Sequence, residues 1–171
     1  MTKTIILGID PGSRITGYGI ISVEGKKETY ITCGRIQMKS ENFCERLHHI
    51  HQGIVELIQT YQPEEAAIEQ VFVQRNVQSA LKLGQARGAA IVAIAQYGIP
   101  ISEYTARQVK QSCVGYGNAD KNQMQLMIQR LFTLKTVPPS DAADALGIAL
   151  CHAHHRTRRL LQENSTGTIR K

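Results

Sequence analysis

Four carboxylates stand where an α/β core usually carries apolar or capping residues: Asp10, Glu69, Asp141 and Asp144. Asp10 and Glu69 each end an apolar run that predicts a strand. Ligands of open α/β sheets bind at the carboxyl ends of strands, at the point where the strand order reverses. Asp141 and Asp144 are three positions apart in a predicted helix, so their side chains share one face. We therefore expect the four side chains to surround one site.

The chemistry of such a site follows from the cost of burying like charges. Buried acids repel one another and become protonated unless a cation pairs with them. Mg²⁺ suits this role because it takes hard oxygen ligands and keeps several waters. Two such ions about 4 Å apart would stabilise the attacking water and the leaving oxygen of a phosphodiester that is cleaved in line. The carboxylates therefore predict metal-assisted hydrolysis of a phosphodiester.

Each carboxylate, taken alone, also has a structural explanation. Asp141 is a favourable charge at a helix N-terminus, and Asp144 is explained as a solvated acid near the same helix start. Asp10 lies in the segment Gly-Ile-Asp-Pro-Gly, where it could be a turn residue. Glu69 is harder to explain, because an unpaired glutamate is rarely buried. The joint occurrence of the four favours the metal site.

The distribution of charge is consistent with a polyanionic partner. Residues 1–69 carry a net charge of −2, residues 70–140 carry +6, and residues 156–171 carry +4, within a total of +6 for the 171 residues. A basic middle next to acidic segments is expected of a protein that holds a phosphate backbone beside a carboxylate site. A solvated basic surface explains the charge alone equally well.

The elements that must position these residues can be read from the apolar periodicity. Period-two and short apolar runs predict strands over residues 4–9, 16–23, 28–37, 65–71 and 99–104. Helical periodicity predicts helices over residues 43–61, 76–97, 105–112, 120–132 and 141–155, with Ser40 as a possible cap of the first. This order predicts an α/β fold with a mixed five-stranded sheet: three antiparallel N-terminal strands, then parallel strands, all flanked by helices.

Length and composition indicate one domain. Residues 1–159 are predicted to form it, and residues 160–171 to form a mobile basic tail. The four cysteines have no paired spacing, so we expect free thiols and no disulfide framework. The longest apolar run, residues 89–95, is too short for a signal segment or a membrane span, which predicts a cytosolic protein.

Several segments resemble those of a known family, the RuvC crossover junction endodeoxyribonucleases. These are bacterial Holliday junction resolvases of the ribonuclease-H-like superfamily. The resemblance covers about residues 4–155 and runs through the segments LGIDPGSRITGYG (7–19), IEQVF (68–72), SALKLGQARG (79–88), RQVKQ (107–111) and DAADAL (141–146). The first segment alone also resembles the phosphate loop of actin-like ATPases and sugar kinases.

The resemblance implies roles for individual residues. It implies that Asp10, Glu69, Asp141 and Asp144 bind the metal ions and support hydrolysis. It implies that Phe72 stacks on unpaired junction bases, and that Lys110 and Lys121 contact or steer the scissile phosphates. Core packing of Phe72 and solvation of the two lysines remain open as alternatives. Weaker candidates for contacts to the DNA backbone are Arg14, Arg75, Lys82 and Arg87.

The resemblance also implies a cofactor and partners. It implies Mg²⁺, with two ions in each subunit and Mn²⁺ as a substitute. It further implies a homodimer that nicks two strands of like polarity across a four-way DNA junction in recombination and repair, together with the branch-migration proteins RuvA and RuvB. The expected location is the bacterial cytoplasm, with the nucleoid and not a membrane. The helix predicted over residues 76–97 is the expected dimer contact, which charged substitution at Ala89 or Ala90 is predicted to disrupt.

Three other functions remain possible on the sequence alone. An actin-like phosphotransferase would use the Asp10 loop for ATP, but it needs a second domain that 171 residues cannot supply. A non-catalytic junction-binding module would show the basic middle without a need for four acids. A ribonuclease-H-like nuclease that acts on RNA is the nearest enzyme alternative.

Overall fold

The structure of the protein is a computed structural model that describes residues 3–71 and 76–166. Its strands are β1 (Thr4–Asp10), β2 (Ile15–Glu24), β3 (Lys27–Gln37), β4 (Glu65–Glu69) and β5 (Ile101–Tyr104). Its helices are α1 (Phe43–Tyr61), α2 (Val77–Ala95), α3 (Ala106–Val114), α4 (Lys121–Leu131) and α5 (Ser140–Thr166). Each predicted strand and helix is present, and its ends differ from the prediction by at most two residues, apart from the end of α5.

The five strands form one mixed sheet in the order β3-β2-β1-β4-β5. β1 is antiparallel to β2 and β2 to β3, whereas β4 is parallel to both β1 and β5. The predicted sheet is therefore confirmed. The chain grows outward from β1 in one direction and then crosses over to β4 on the other side. The strand order thus reverses between β1 and β4, which is where open α/β sheets bind ligands.

Helices cover both faces of the sheet. Successive strand residues point to opposite sides, and apolar residues of β1 are buried on both. On one face, Leu7 of β1 joins a core cluster that includes Ile50 of α1 and Ala90 of α2. On the other face, Ile6 joins a cluster that includes residues of α3, α4 and α5, among them Leu146. The sheet is therefore the middle layer of three.

The start of α1 differs from the prediction. Asn42, not Ser40, is the N-cap: its Oδ1 accepts hydrogen bonds from the backbone N–H groups of Cys44 at 2.9 Å and Glu45 at 3.4 Å. Ser40 lies one step earlier, where its Oγ accepts from the N–H of Asn42 at 3.1 Å. Asparagine and serine cap about equally well, so position relative to the first turn decides between them.

The last helix is longer than predicted. The apolar period fades after His155, but α5 continues to Thr166. Arginine, leucine, glutamine and glutamate are good helix formers, and no glycine or proline interrupts the chain between Gly147 and Gly167. Residues 160–166 of the predicted tail are thus helical, whereas its mobility stays a prediction. Across residues 3–71 and 76–166, no helix combines the length and apolarity that crossing a membrane requires.

The two sides of α2 differ in exposure. Val77, Leu81 and Val92 are 64%, 62% and 60% exposed and recur at helical spacing along the outer side. Ala90 is fully buried, and Ala89 packs against the core beneath the helix. A charge at either alanine would therefore disturb folding before it reached the outer face. A charge at Ala90 would thus test the core and not an outer contact, because periodicity does not say which side of α2 faces the sheet. The dimer contact through this helix stays a prediction.

Candidate active site

The four predicted carboxylates line one cavity of about 300 Å³. Asp10 is the last residue of β1 and Glu69 the last of β4, and these two strands are neighbours in the sheet. Asp141 and Asp144 lie in the first two turns of α5, which packs across β1 and β2. Residues distant in sequence thus meet at the predicted edge of the sheet.

Glycines allow α5 to lie directly on the strands. A Cβ atom at Gly8 of β1 would overlap the carbonyl oxygen of Ala145, and one at Gly17 of β2 would overlap that of Asp141. Any larger side chain would therefore lift α5, and Asp144 with it, away from Asp10. The sequence-based prediction did not include these glycines. A glycine inside a strand pattern is the sequence signal that could have indicated them.

The cavity makes its acids hard to ionise. Burial first, and then the charges of Glu69, Asp144 and Asp141, raise the pKa of Asp10 from 3.8 to about 8. Burial and the charges of Glu69 and Asp141 raise the pKa of Asp144 to about 6. Burial also raises the pKa of Glu69, against the opposing effects of a hydrogen bond with Asp10 and the charge of Lys110. The site therefore favours either bound protons or a compensating cation.

Lys110 and Lys121 also line this cavity, beside apolar side chains that include Val109 and Met124. Both lysines lower the pKa of Asp144, so their charges act on the carboxylates. Lys110 is half-buried on α3, and Lys121 is exposed at the first position of α4. The structure thus brings six of the predicted residues together and places two cations at the rim of an acidic pocket.

The carboxylates of the cavity can be compared with the ligands that metal ions prefer. Within the part of the chain that the structure describes, no three His, Cys, Asp or Glu side chains form a group that could hold an ion as they stand. The charge of Glu69 raises the pKa of Asp10, so these two carboxyl groups act on each other across the cavity. Four carboxylates around one cavity are nevertheless the hard oxygen donors that Mg²⁺ and Mn²⁺ take. In donor chemistry, therefore, the residues that line the cavity fit such an ion.

Of the weaker candidates, Arg14 and Lys82 are not among the residues that line this cavity. The Arg14 guanidinium pairs with Glu41 at 3.2 Å on the surface. Lys82 is exposed on α2. Phe72 and Arg75 lie outside the described residues, so their predicted roles stay predictions.

Arg87 makes contacts that the amino-acid sequence did not indicate. Its Nε donates to the backbone carbonyl oxygen of Glu69 at 3.2 Å, and its Nη2 forms an ion pair with Glu103 at 2.8 Å. The side chain is only 19% exposed. Arg87 therefore holds the end of β4 in place. No local signal could have shown this, because the partner lies 18 residues away on another element.

Comparison with known proteins gives the same family as the sequence motifs. Residues 6–152 match the protein family described as crossover junction endodeoxyribonuclease RuvC. The chain is 55% identical over 152 residues to a protein of that name from Shewanella sp. (strain W3-18-1), which covers 89% of this chain and 88% of the relative. It is likewise 55% identical over 166 residues to one from Marinobacter nauticus, with 97% and 95% covered.

A solved structure supports the assignment. The structure of T. thermophilus RuvC in complex with a Holliday junction substrate superimposes with a TM-score of 0.84 and 36% sequence identity. The match covers 91% of this chain and 96% of the other. The mixed sheet, its helical layers and the sequence are thus shared over nearly the full length of both proteins. The chain belongs to the RuvC family of crossover junction endodeoxyribonucleases.

Proposed function

We propose that this protein resolves four-way DNA junctions by metal-dependent hydrolysis of two phosphodiesters, one in each of two strands of like polarity. The observation that carries the proposal is the cavity at the switch point of the sheet, where Asp10, Glu69, Asp141 and Asp144 meet two lysines. Family membership supplies the junction as the substrate, since relatives carry the name crossover junction endodeoxyribonuclease.

The four carboxylates would hold the metal, proposed as two Mg²⁺ ions in each subunit, with Mn²⁺ as a substitute. When bound, the ions would stabilise the attacking water and the leaving oxygen. Without a cation, Asp10 keeps its proton near neutral pH, because burial and the neighbouring acids raise its pKa to about 8. Loss of that proton would free the Asp10 carboxylate to act as a ligand. Arg87 fixes the end of β4 from which Glu69 projects.

Contacts to DNA are proposed around the same cavity. Lys110 and Lys121 would attract the scissile phosphate, since both charges already act on the pocket. Arg14, Lys82 and Arg75 would contact more distant backbone, and Phe72 would stack on an unpaired base. Arg87 is the weakest of these candidates, because its guanidinium is already bound to Glu103 and to the Glu69 carbonyl.

A homodimer is part of the proposal. The outer face of α2 exposes Val77, Leu81 and Val92, and a Cβ atom at Gly84 or Gly88 would meet nothing within 4 Å. This apolar strip with two open glycines suits close contact with a second copy of α2. Two-fold symmetry would then give the two active sites the symmetry of a four-way junction. Action with RuvA and RuvB at the nucleoid in the bacterial cytoplasm rests on the family resemblance alone.

The test is cleavage of a mobile synthetic four-way DNA junction with Mg²⁺ or Mn²⁺, beside linear duplex. We expect paired nicks on opposing strands of the junction and none in the duplex. Asp10→Asn should abolish nicking while junction binding is retained. Glu56→Gln, which removes one exposed acid on α1, is the matched control and should nick as the wild type does.

Other outcomes would point to the alternative functions. Tight junction binding without nicks in either metal would leave a binding module. Preferential cleavage of an RNA hairpin in competition with the junction would indicate an RNA nuclease. Loss of both binding and cleavage in Asp10→Asn would indicate that Asp10 is needed for the fold.

A further inference from the structure

A second cleft lies between α3 and the distal half of α5. It measures about 290 Å³. All of its lining residues are polar, and we call this set the cationic cleft: Gln108, Gln111, Ser112, His154, His155 and Arg158. A neighbouring cleft of about 350 Å³ shares His155 and Arg158 and adds Arg156 and Arg159. None of these α5 residues has a role in the function proposed above.

The positive charges around the cationic cleft are only partly neutralised. Arg156 is committed, because its Nε pairs with Glu65 at 2.8 Å. His154 lies between the Ser112 hydroxyl at 2.8 Å and a Glu28 carboxylate oxygen at 3.6 Å. Arg158 is exposed and forms no ion pair with any residue in 3–71 or 76–159. Because its side chain is exposed, its guanidinium can be reached by an anion in solution.

The charge of Arg158 affects a neighbouring histidine of the cleft. Burial first, and then the charges of Arg158 and His154, lower the pKa of His155. Burial raises the pKa of Cys151 to about 11, and the charge of Arg158 opposes that rise. The positive potential that lowers the pKa of the His155 imidazole would be reduced by a bound anion.

The cationic cleft lies on the far side of α3 from the carboxylate cavity. Ala106, Val109 and Lys110 line that cavity, whereas Gln108, Gln111 and Ser112 line the cleft. At about 100° per residue, the two sets occupy opposite faces of the helix. Along α5, the 14 positions from Asp144 to Arg158 span about 21 Å, or about six nucleotide steps of duplex DNA. The distance between the active site and the cleft is thus shorter than one DNA arm.

The lining favours a phosphate over an acidic protein segment. Guanidinium, imidazole, amide and hydroxyl groups are the donors that contact phosphate oxygens in protein–DNA complexes. A docked protein segment is usually anchored by apolar or aromatic side chains in a buried pocket. The cationic cleft offers no apolar lining residue for such an anchor.

We infer that the cationic cleft binds a backbone phosphate of a DNA arm that leaves the active site. This inference rests on the proposed function, because it needs junction DNA as the substrate. The contact is independent of base sequence, since only phosphate oxygens are recognised. It would fix the direction of one junction arm across α3 without taking part in hydrolysis.

The test measures the affinity of the full-length protein for a labelled four-way junction over a salt series, by fluorescence anisotropy. Arg158→Gln should weaken binding about three- to tenfold and reduce the slope of log K against log salt by about one phosphate contact. Arg158→Lys should restore most of both, because a point charge suffices for one phosphate. Lys26→Gln removes one charge from the β2–β3 turn, outside the cleft, and should change neither. Thermal melts should confirm that each variant is folded.

The outcomes separate the cleft from the function. If the wild type nicks the junction and Arg158→Gln changes neither the affinity nor the salt slope, the cleft does not bind a phosphate. The proposed function would then be unaffected. Failure of the wild type to bind or nick any junction would overturn the proposed function itself. Binding of an oligoglutamate peptide that depends on Arg158, with junction affinity unchanged, would assign the cleft to an acidic protein segment.

Discussion

Asp10 shows how the acids of the cavity link chemistry to stability. Its pKa is raised to about 8 by burial and by the neighbouring acids, whereas an unfolded aspartate has a pKa near 3.8. Between these values the folded protein holds a proton that the unfolded chain has lost. Stability contributed in this way is complete at low pH and is lost as the pH rises through the folded-state pKa.

We expect the free energy of unfolding in EDTA to fall more steeply from pH 5 to pH 8 for the wild type than for Asp10→Asn. The difference should be at most about 1.4 kcal/mol per pH unit, the value for one proton. The comparison with Asp10→Asn is needed because other groups also titrate in this range. Burial lowers the pKa of His152 and His155, and this makes the free energy of unfolding rise with pH. Urea denaturation at several pH values measures both slopes.

Added Mg²⁺ should stabilise the wild type most at pH 8, where a metal ion competes with the fewest protons. Asp10→Asn should lose most of this stabilisation. Equal pH slopes in EDTA, together with equal Mg²⁺ effects, would show that Asp10 neither holds the proton nor binds the ion.

Arg87 is expected to act through position and not through DNA. Arg87→Gln should slow nicking by saturating enzyme about tenfold, the equivalent of one charge-assisted hydrogen bond, with little change in junction affinity. Arg87→Lys should not rescue the rate, because a single ammonium cannot reproduce the guanidinium contacts to both the Glu69 carbonyl and Glu103. The measurements are single-turnover rates and dissociation constants.

Lys82→Gln provides the contrast on the same helix, because Lys82 is exposed. It should weaken binding and reduce the salt slope with little effect on the rate. A weakened affinity in Arg87→Gln that Arg87→Lys restored would instead make Arg87 a DNA contact.

At the scale of elements, the sequence predicted which segments are helices and strands better than it predicted their close contacts. Strand-ending Asp10 and Glu69 followed from local pattern, because an apolar run and its end are local properties. The end of α5 did not, since helix propensity carried the chain past the point where apolar periodicity faded. The buried side of α2 also depended on tertiary packing, which one sequence does not state.

The contact of α5 with β2 is the packing on which the site depends most. An added methyl group in Gly17→Ala would overlap the Asp141 carbonyl oxygen and lie 3.1 Å from its Cβ. Relief of this overlap must move the first turn of α5, and a shift of about 1 Å can cost about 100-fold in rate. We expect such a loss in nicking, with about 1–3 kcal/mol of lost stability from overpacking.

Gly53→Ala is the matched control, because its added methyl would lie 2.9 Å from the Ile36 side chain on the opposite face of the sheet. It should nick at the wild-type rate at a temperature where both variants are folded. A wild-type nicking rate in Gly17→Ala would mean that the site tolerates movement of α5.

For the whole molecule, the two helical layers have different surfaces. Residues of α3, α4 and α5 line the carboxylate cavity together with the ends of β1 and β4, and residues of α3 and α5 line the cationic cleft. The layer of α1 and α2 presents the apolar outer face of α2. A dimer formed through α2 would therefore leave both active sites open to DNA.

Leu81→Glu tests this arrangement. Leu81 is 62% exposed in the single chain, so the change should leave folding nearly intact while it places two carboxylates opposite each other across a two-fold contact. Sedimentation should show a dimer for the wild type and a monomer for the variant. Val137→Glu alters another exposed apolar side chain, 45% exposed before α5, and should remain a dimer.

Loss of the dimer should also change the products. On a supercoiled plasmid with an extruded cruciform, paired nicks within one complex give linear DNA, whereas independent nicks give nicked circles first. Leu81→Glu should therefore shift the product from linear DNA to nicked circles, and the shift should diminish as the protein concentration is raised towards dimer formation. A Leu81→Glu protein that stayed dimeric and still produced linear DNA would place the two-fold contact elsewhere. Because none of the residues that line the carboxylate cavity belongs to α1 or α2, chemistry at a single site would survive either result.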